Sequence, residues 1–197
     1  MRPDGWVDVP LAPFATVDRS TLRWLRTGET TPEFTLLAGE SAVATMRWHQ
    51  PHGARAVAET ADGSFTLGRG GFLVPHLTAR RAGSDAPVAR LTNRLSHHEL
   101  EVGGGGVYRL KRAGLLVPAW TLTAANGETV HLEPATDGHR IEGGAIIGTT
   151  SIAPGELMIV LLLCWYLIVL LWIEDEAIEA LVPFEGPDAP ARLGRGA

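Results

Sequence analysis

The sequence predicts a mainly β protein, an antiparallel closed barrel of about twelve strands enclosing one hydrophobic C-terminal α-helix. Three observations carry this expectation. Apolar and polar residues alternate with period two, over and over, between about Thr21 and Thr150, which is the pattern of half-buried antiparallel strands. The strand candidates recur about every ten residues, a spacing that favours a sandwich or barrel. The texture then changes to Leu157–Ile173, a run without a single charge.

Taken in order, Ala42, Ala44, Met46 and Trp48 alternate with Val43, Thr45 and Arg47, and Ala54, Ala56 and Ala58 alternate with Arg55, Val57 and Glu59. Phe65 and Leu67 follow Ala61-Asp62-Gly63, where Asp-Gly signals a tight turn. Phe72 and Val74 open a run that passes Pro75 to Leu77 and Ala79. Ala89 and Leu91, Leu100 and Val102, Tyr108 and Leu110, Trp120 and Leu122, then Val130 and Leu132 continue the series. Ala125-Asn126-Gly127 marks another turn between the last two pairs. Pro75 and Pro118 argue for bends or edge positions, because proline cannot donate to a ladder. The runs Gly68-Arg69-Gly70-Gly71 and Gly103 to Gly106 read as hairpin turns. They lack the strand-to-helix context and the Gly-Lys-Ser/Thr of a phosphate-binding loop.

The C-terminal segment reads as a helix. Pro154 suits its first turn and Glu156 the positive end of its dipole. The pattern continues past Glu174 toward Leu181 and stops before Pro183. The division expected is a lead-in over 1–19, a barrel over 20–182 with its helix near 155–181, and a tail over 183–197. A helix apolar on every side is either a membrane span or the centre of a core, and its length sits at the lower limit for a span. Its flanks are acidic at both ends, and Trp165 and Tyr166 fall mid-span, away from the interfaces that such rings prefer. A twelve-strand barrel, in contrast, is too wide for its own side chains to fill. A threaded helix fills it, and the alanines of 42–58 leave room for its large residues. A single-pass anchor through 157–173 carrying a soluble β-domain stays as the alternative.

Composition narrows the function classes. The net charge is −5, and all of it lies in residues 151–197, so no basic nucleic-acid footprint is present. Cys164 is the one cysteine, which excludes an intrachain disulfide or a cysteine-cluster metal site. No apolar h-region follows Met1, and the protein reads as cytoplasmic, peripheral to a membrane surface in the lipid-binding reading. His49, His52, His97 and His98 read as surface loop histidines, with no spacing that completes a metal site. Neither a Gly-x-Ser-x-Gly elbow nor a carboxylate pair suited to acid–base work is seen, because Glu99 and Glu101 fall on solvent-facing strand positions. No catalytic residue and no cofactor is therefore expected. Three basic clusters are candidates for anionic lipid: Arg80 with Arg81, Arg90 with Arg94, and Arg109 with Lys111 and Arg112. Glu99 and Glu101 nearby argue for an ordinary mixed-charge strand face.

With its Ala61-Asp62-Gly63-Ser64-Phe65 turn, its Gly70-Gly71-Phe72 entry and its terminal Leu157–Ile173 helix, the chain resembles the tubby C-terminal-like superfamily over roughly residues 20–180. Within it, the likeness is to LURP-one-related proteins and phospholipid scramblases. The resemblance implies a twelve-stranded barrel around a buried helix. It also implies a non-enzymatic binding or interaction module, partnered by anionic phospholipid headgroups or by another protein. Tubby domains bind phosphoinositide headgroups through basic side chains, and scramblases are linked to membranes. The LURP-one-related group has no settled activity. The tubby headgroup residues do not map onto this sequence, and the calcium-ligand segment of scramblases is not seen.

Overall fold

The computed structural model describes residues 10–51, 53–71, 75–113, 119–137, 140–148 and 150–181, the last seven by backbone alone. Twelve strands follow one another: β1 (Leu22–Arg26), β2 (Glu33–Ala38), β3 (Ser41–Trp48), β4 (Arg55–Thr60), β5 (Gly63–Gly70), β6 (His76–Arg81), β7 (Pro87–Asn93), β8 (His98–Val102), β9 (Val107–Ala113), β10 (Ala119–Ala124), β11 (Thr129–Asp137) and β12 (Arg140–Ile147). Each pairs antiparallel with its sequence neighbour. β1 closes on β12 with Leu22 opposite Ile146 and Trp24 opposite Gly144. Closure removes the exposed edges of an open sheet. The chain then enters α1, Pro154–Leu181, and 78% of the residues in the most apolar 18-residue stretch of its Pro154–Glu174 span are buried.

The period-two pattern sets the wall. Ala44, Met46 and Trp48 on β3, Ala56 and Ala58 on β4, Phe65 and Leu67 on β5, and their counterparts around the ring are all buried. Glycine relieves two of the turns. Gly63 closes the β4–β5 hairpin at φ 130°, and Gly127 takes φ 86° before β11, a region that side chains with a Cβ rarely enter. Asn126 Oδ1 accepts the Glu128 N–H at 3.0 Å and completes the second turn.

Four expectations need correction. The alternation placed Ala42 inside and Val43 outside, yet Val43 is fully buried and Ala42 half-buried. A bulge is the reason: Leu36 pairs with Ala44 and Leu37 with Ala42, so Val43 has no register partner. Gly68 to Gly71 is not a hairpin turn, because Gly68, Arg69 and Gly70 finish β5. Pro75 lies just before β6 and in no strand, and a closed barrel has no edge for it to occupy. His98 is treated with the candidate site. Phe72, Val74 and Pro118 lie outside the described residues, as do His52 and 183–197.

The helix is held by shape and by its ends. Its backbone comes closest to β6, β7 and β8, where Ala79 and Ala89 are small. Large rings fill the wider gap on the other side. Trp165 stacks on Trp24 with centroids 5.5 Å apart and planes 8° from parallel, and meets Phe34 edge-on at 5.5 Å. Tyr166 stacks on Trp48 at 5.7 Å. Such ring pairs contribute about 0.5–1.5 kcal/mol each beyond their burial. β12 accommodates Trp165 with a glycine: a Cβ on Gly144 would sit 2.8 Å from its Cη2.

At the entrance, the Tyr108 hydroxyl donates to Glu156 Oε1 at 2.7 Å. Burial first, and the Glu156 carboxylate second, push the Tyr108 pKa up, so it stays a donor. The Glu128 carboxylate accepts from Ser151 N–H (2.8 Å), Ser151 Oγ (3.0 Å) and Thr150 Oγ1 (3.0 Å), which fixes the approach to α1. At the far end, the Tyr166 hydroxyl donates to the Ala54 carbonyl at 2.6 Å and Arg69 pairs with Glu174 at 2.7 Å. A short 3-10 turn, Phe14–Thr16, packs on α1 with Phe14 buried.

Candidate functional site

With the lumen filled, the outer wall is where chemistry is offered to solvent. Outward positions fall in rows across the strands. One row reads Arg55, Gly68, Thr78, Arg90, Glu101 from β4 to β8, with Thr78 itself buried. The next reads Val57, Thr66, Arg80, Pro87. Gly68 contributes no side chain, and the space a Cβ would take there is open. The result is a groove of about 1060 Å³ along β4–β6 whose basic residues are Arg55, Arg69, Arg80 and Arg81.

These arginines differ in their commitments. Arg69 is paired with Glu174 across the barrel mouth. Arg81 lies over the Phe65 ring, 5.6 Å from its centroid, a placement that leaves its charge available. Arg55 and Arg80 form no ion pair among the described residues. Asp85 lies on the groove rim and is the acidic group there. His49, an exposed turn residue, lines one end.

The structure separates the other two candidate clusters from this groove and places β8 between them. Glu99 on β8 stands opposite Thr92 on β7 and Arg109 on β9, and Glu101 stands opposite Arg90. Arg94, at the β7–β8 hairpin, pairs with Glu99 at 2.5 Å. The hydrogen bond from Arg94 holds the Glu99 carboxyl below its ordinary value, and Arg109 adds to this. Arg109 and Lys111 share the outer face of β9 as the alternation predicted, whereas Arg112 has the parity of the buried Tyr108 and Leu110 and emerges near the strand's end. An acidic strand flanked by basic ones is a mixed-charge face, weak as an anion site.

His98 is no surface histidine. It opens β8 with its ring 5.7 Å from that of Trp120, and its Nδ1 is out of solvent without a partner. Burial, then the neighbouring charge of His97, lowers its pKa. Among the described residues, no group of three or more His, Cys, Asp or Glu is placed to hold a metal ion. Burial pushes the Cys164 thiol up, away from reactivity.

Sequence reading missed Arg55. The alternation put it on an outer face, but its nearness to Arg80 comes from the β4–β5–β6 register, with Thr66 and Gly68 between. No family model matches the chain, and no curated protein or solved structure matches it either.

Proposed function

We propose that this barrel is a non-enzymatic binding module whose β4–β6 groove takes the phosphate groups of anionic phospholipid headgroups at a membrane surface. One observation carries the reading: Arg55, Arg80 and Arg81 converge on an open groove floored by Gly68, none of them held by a carboxylate among the described residues. Guanidinium forks suit phosphate oxygens. Each such charge near an anionic surface contributes about 1 kcal/mol, so three amount to roughly two orders of magnitude in retention. The tubby-like resemblance, with its membrane-linked relatives, supports the same direction. The alternative, anchoring through Leu157–Ile173, requires those side chains to abandon the core that they build.

The test is vesicle flotation with full-length protein and phosphatidylserine- or phosphoinositide-containing vesicles at low and high salt. The wild type is expected to float at low salt and to be released by salt. The triple variant Arg55→Ser, Arg80→Ser, Arg81→Ser is expected to stay at the bottom. Arg109→Ser with Lys111→Ser is expected to float nearly as the wild type does. Failure of the wild type to float, or flotation of the triple variant at wild-type levels, would reject the reading.

A further inference from the structure

The wall across the ring from the β4–β6 groove is built of β11, β12 and β1, with β12 in the middle. At its centre Ala145 is exposed. Glu133 on β11 stands opposite Ala145 on one side, and Arg23 on β1 stands opposite it on the other. Both charged residues are exposed, and neither side chain forms an ion pair or hydrogen bond among the described residues. Two strand spacings put them about 10 Å apart along the row, with one small residue between.

The apolar residues of this wall lie along β12 and beside it. Ile147, 49% exposed, stands two residues from Ala145. Two residues the other way is Gly143, opposite Leu25, 47% exposed, on β1 and the exposed Ala135 on β11. Gly143 raises no side chain between them. Leu95 and Val107, the other large apolar residues exposed among those described, stand at hairpins of other strands.

This pattern is complementary to itself about one line. When two such walls face each other, a two-fold axis running along β12 brings each residue of β1 over the residue of the same row on β11 of the other copy. Arg23 then meets Glu133, and Leu25 meets Ala135. Ile147 and Ala145 lie on the axis and meet their own equivalents. An axis along the row instead would set Arg23 on Arg23 and Glu133 on Glu133. We infer that the β11–β12–β1 wall is an isologous interface between two copies of this chain, with the two-fold axis along β12. A closed dimer needs a self-match of this kind, which an unrelated partner does not. Three strands of a convex wall make a small contact, so the dimer is a weak one, with dissociation in the micromolar range or above. The interface does not rest on the phospholipid reading, because the β4–β6 groove faces away from it and stays open.

Sedimentation velocity of full-length protein from micromolar to near-millimolar concentration is the test. The wild type is expected to pass from monomer to dimer over this range. Arg23→Glu or Glu133→Arg alone sets like charges opposite each other twice per dimer, and each should weaken association at least about tenfold. The double variant Arg23→Glu with Glu133→Arg should recover the wild-type behaviour. Both positions are exposed, so all three variants are expected to melt as the wild type does. In a separate arm, Ala145→Cys should be joined to its equivalent by a short bismaleimide, whereas Glu101→Cys on β8 should not. A wild type that remains monomeric, single variants that associate as the wild type does, a double variant that fails to recover, or Ala145→Cys linked no better than Glu101→Cys would each overturn the interface.

Discussion

Placing a methyl group at position 144 probes the threading of the helix through the barrel. In Gly144→Ala the new Cβ would lie 2.8 Å from Cη2 and 2.9 Å from Cζ3 of Trp165, and 2.8 Å from the Glu133 carbonyl oxygen. The indole has little freedom to retreat, because it is stacked on Trp24 and set edge-on to Phe34. Overpacking of this kind costs about 1–3 kcal/mol, which lowers the melting temperature of a chain this long by roughly 2–12 °C. The single variant is not decisive, because the Glu133 carbonyl belongs to the wall and would be met wherever the helix lay. The double-mutant cycle with Trp165→Phe is decisive. Phenylalanine is too short to reach the new methyl, so the pair should be less destabilised than the sum of its members by about 1 kcal/mol or more. The relief should be partial, since the carbonyl contact remains. Urea unfolding followed by circular dichroism measures all four species without relying on the tryptophan signal. Additivity within about 0.3–0.5 kcal/mol would refute the claim that Trp165 passes against β12.

Two further predictions concern the hydrogen bonds that hold the helix and its approach. Tyr166→Phe deletes the donor to the Ala54 carbonyl while keeping the stack on Trp48; a loss of about 0.5–1.5 kcal/mol in urea unfolding is expected, and no loss would mean that the bond is not formed. The Glu128 carboxyl is held below its ordinary value of 4.5, first by the Ser151 N–H, then by the Ser151 and Thr150 hydroxyls. A depressed folded value means that the unfolded chain takes up the proton first. The stabilisation is therefore present above 4.5 and lost as pH falls through the folded value. An NMR titration should place Glu128 below an ordinary glutamate, and Glu128→Gln should flatten that part of the stability profile; a normal midpoint would contradict the bonding described.

The wall of the barrel was legible because alternation is local. Met46 and Trp48, Phe65 and Leu67, or Leu100 and Val102 announce an inner face within a few residues, and all are buried. What escaped was set by distant partners. β12 hides its period because Gly143 and Gly144 interrupt it, and Gly144 makes room for a ring on α1. Val43 is misassigned by alternation because the bulge depends on how β2 meets β3. Gly68 resembles part of a turn, and only the register shows it to be the floor of a groove. The same holds for the candidate sites. Arg80 and Arg81 stand out as neighbours in sequence, whereas Arg55 joins them through two strand pairings. Arg94 and Arg109 looked alike from sequence until β8 brought Glu99 between them.

The central claim is that Leu157–Ile173 is the core of the barrel, and Cys164, wholly buried on that helix, reports on it most directly. The measurement is alkylation of Cys164 by a water-soluble maleimide across a urea series, compared with loss of the β signal in circular dichroism on the same samples. The account predicts that native protein in detergent-free buffer is not labelled and that labelling rises with the same midpoint as the sheet melts. Labelling of the native protein, or at urea concentrations where the sheet is still intact, would contradict it.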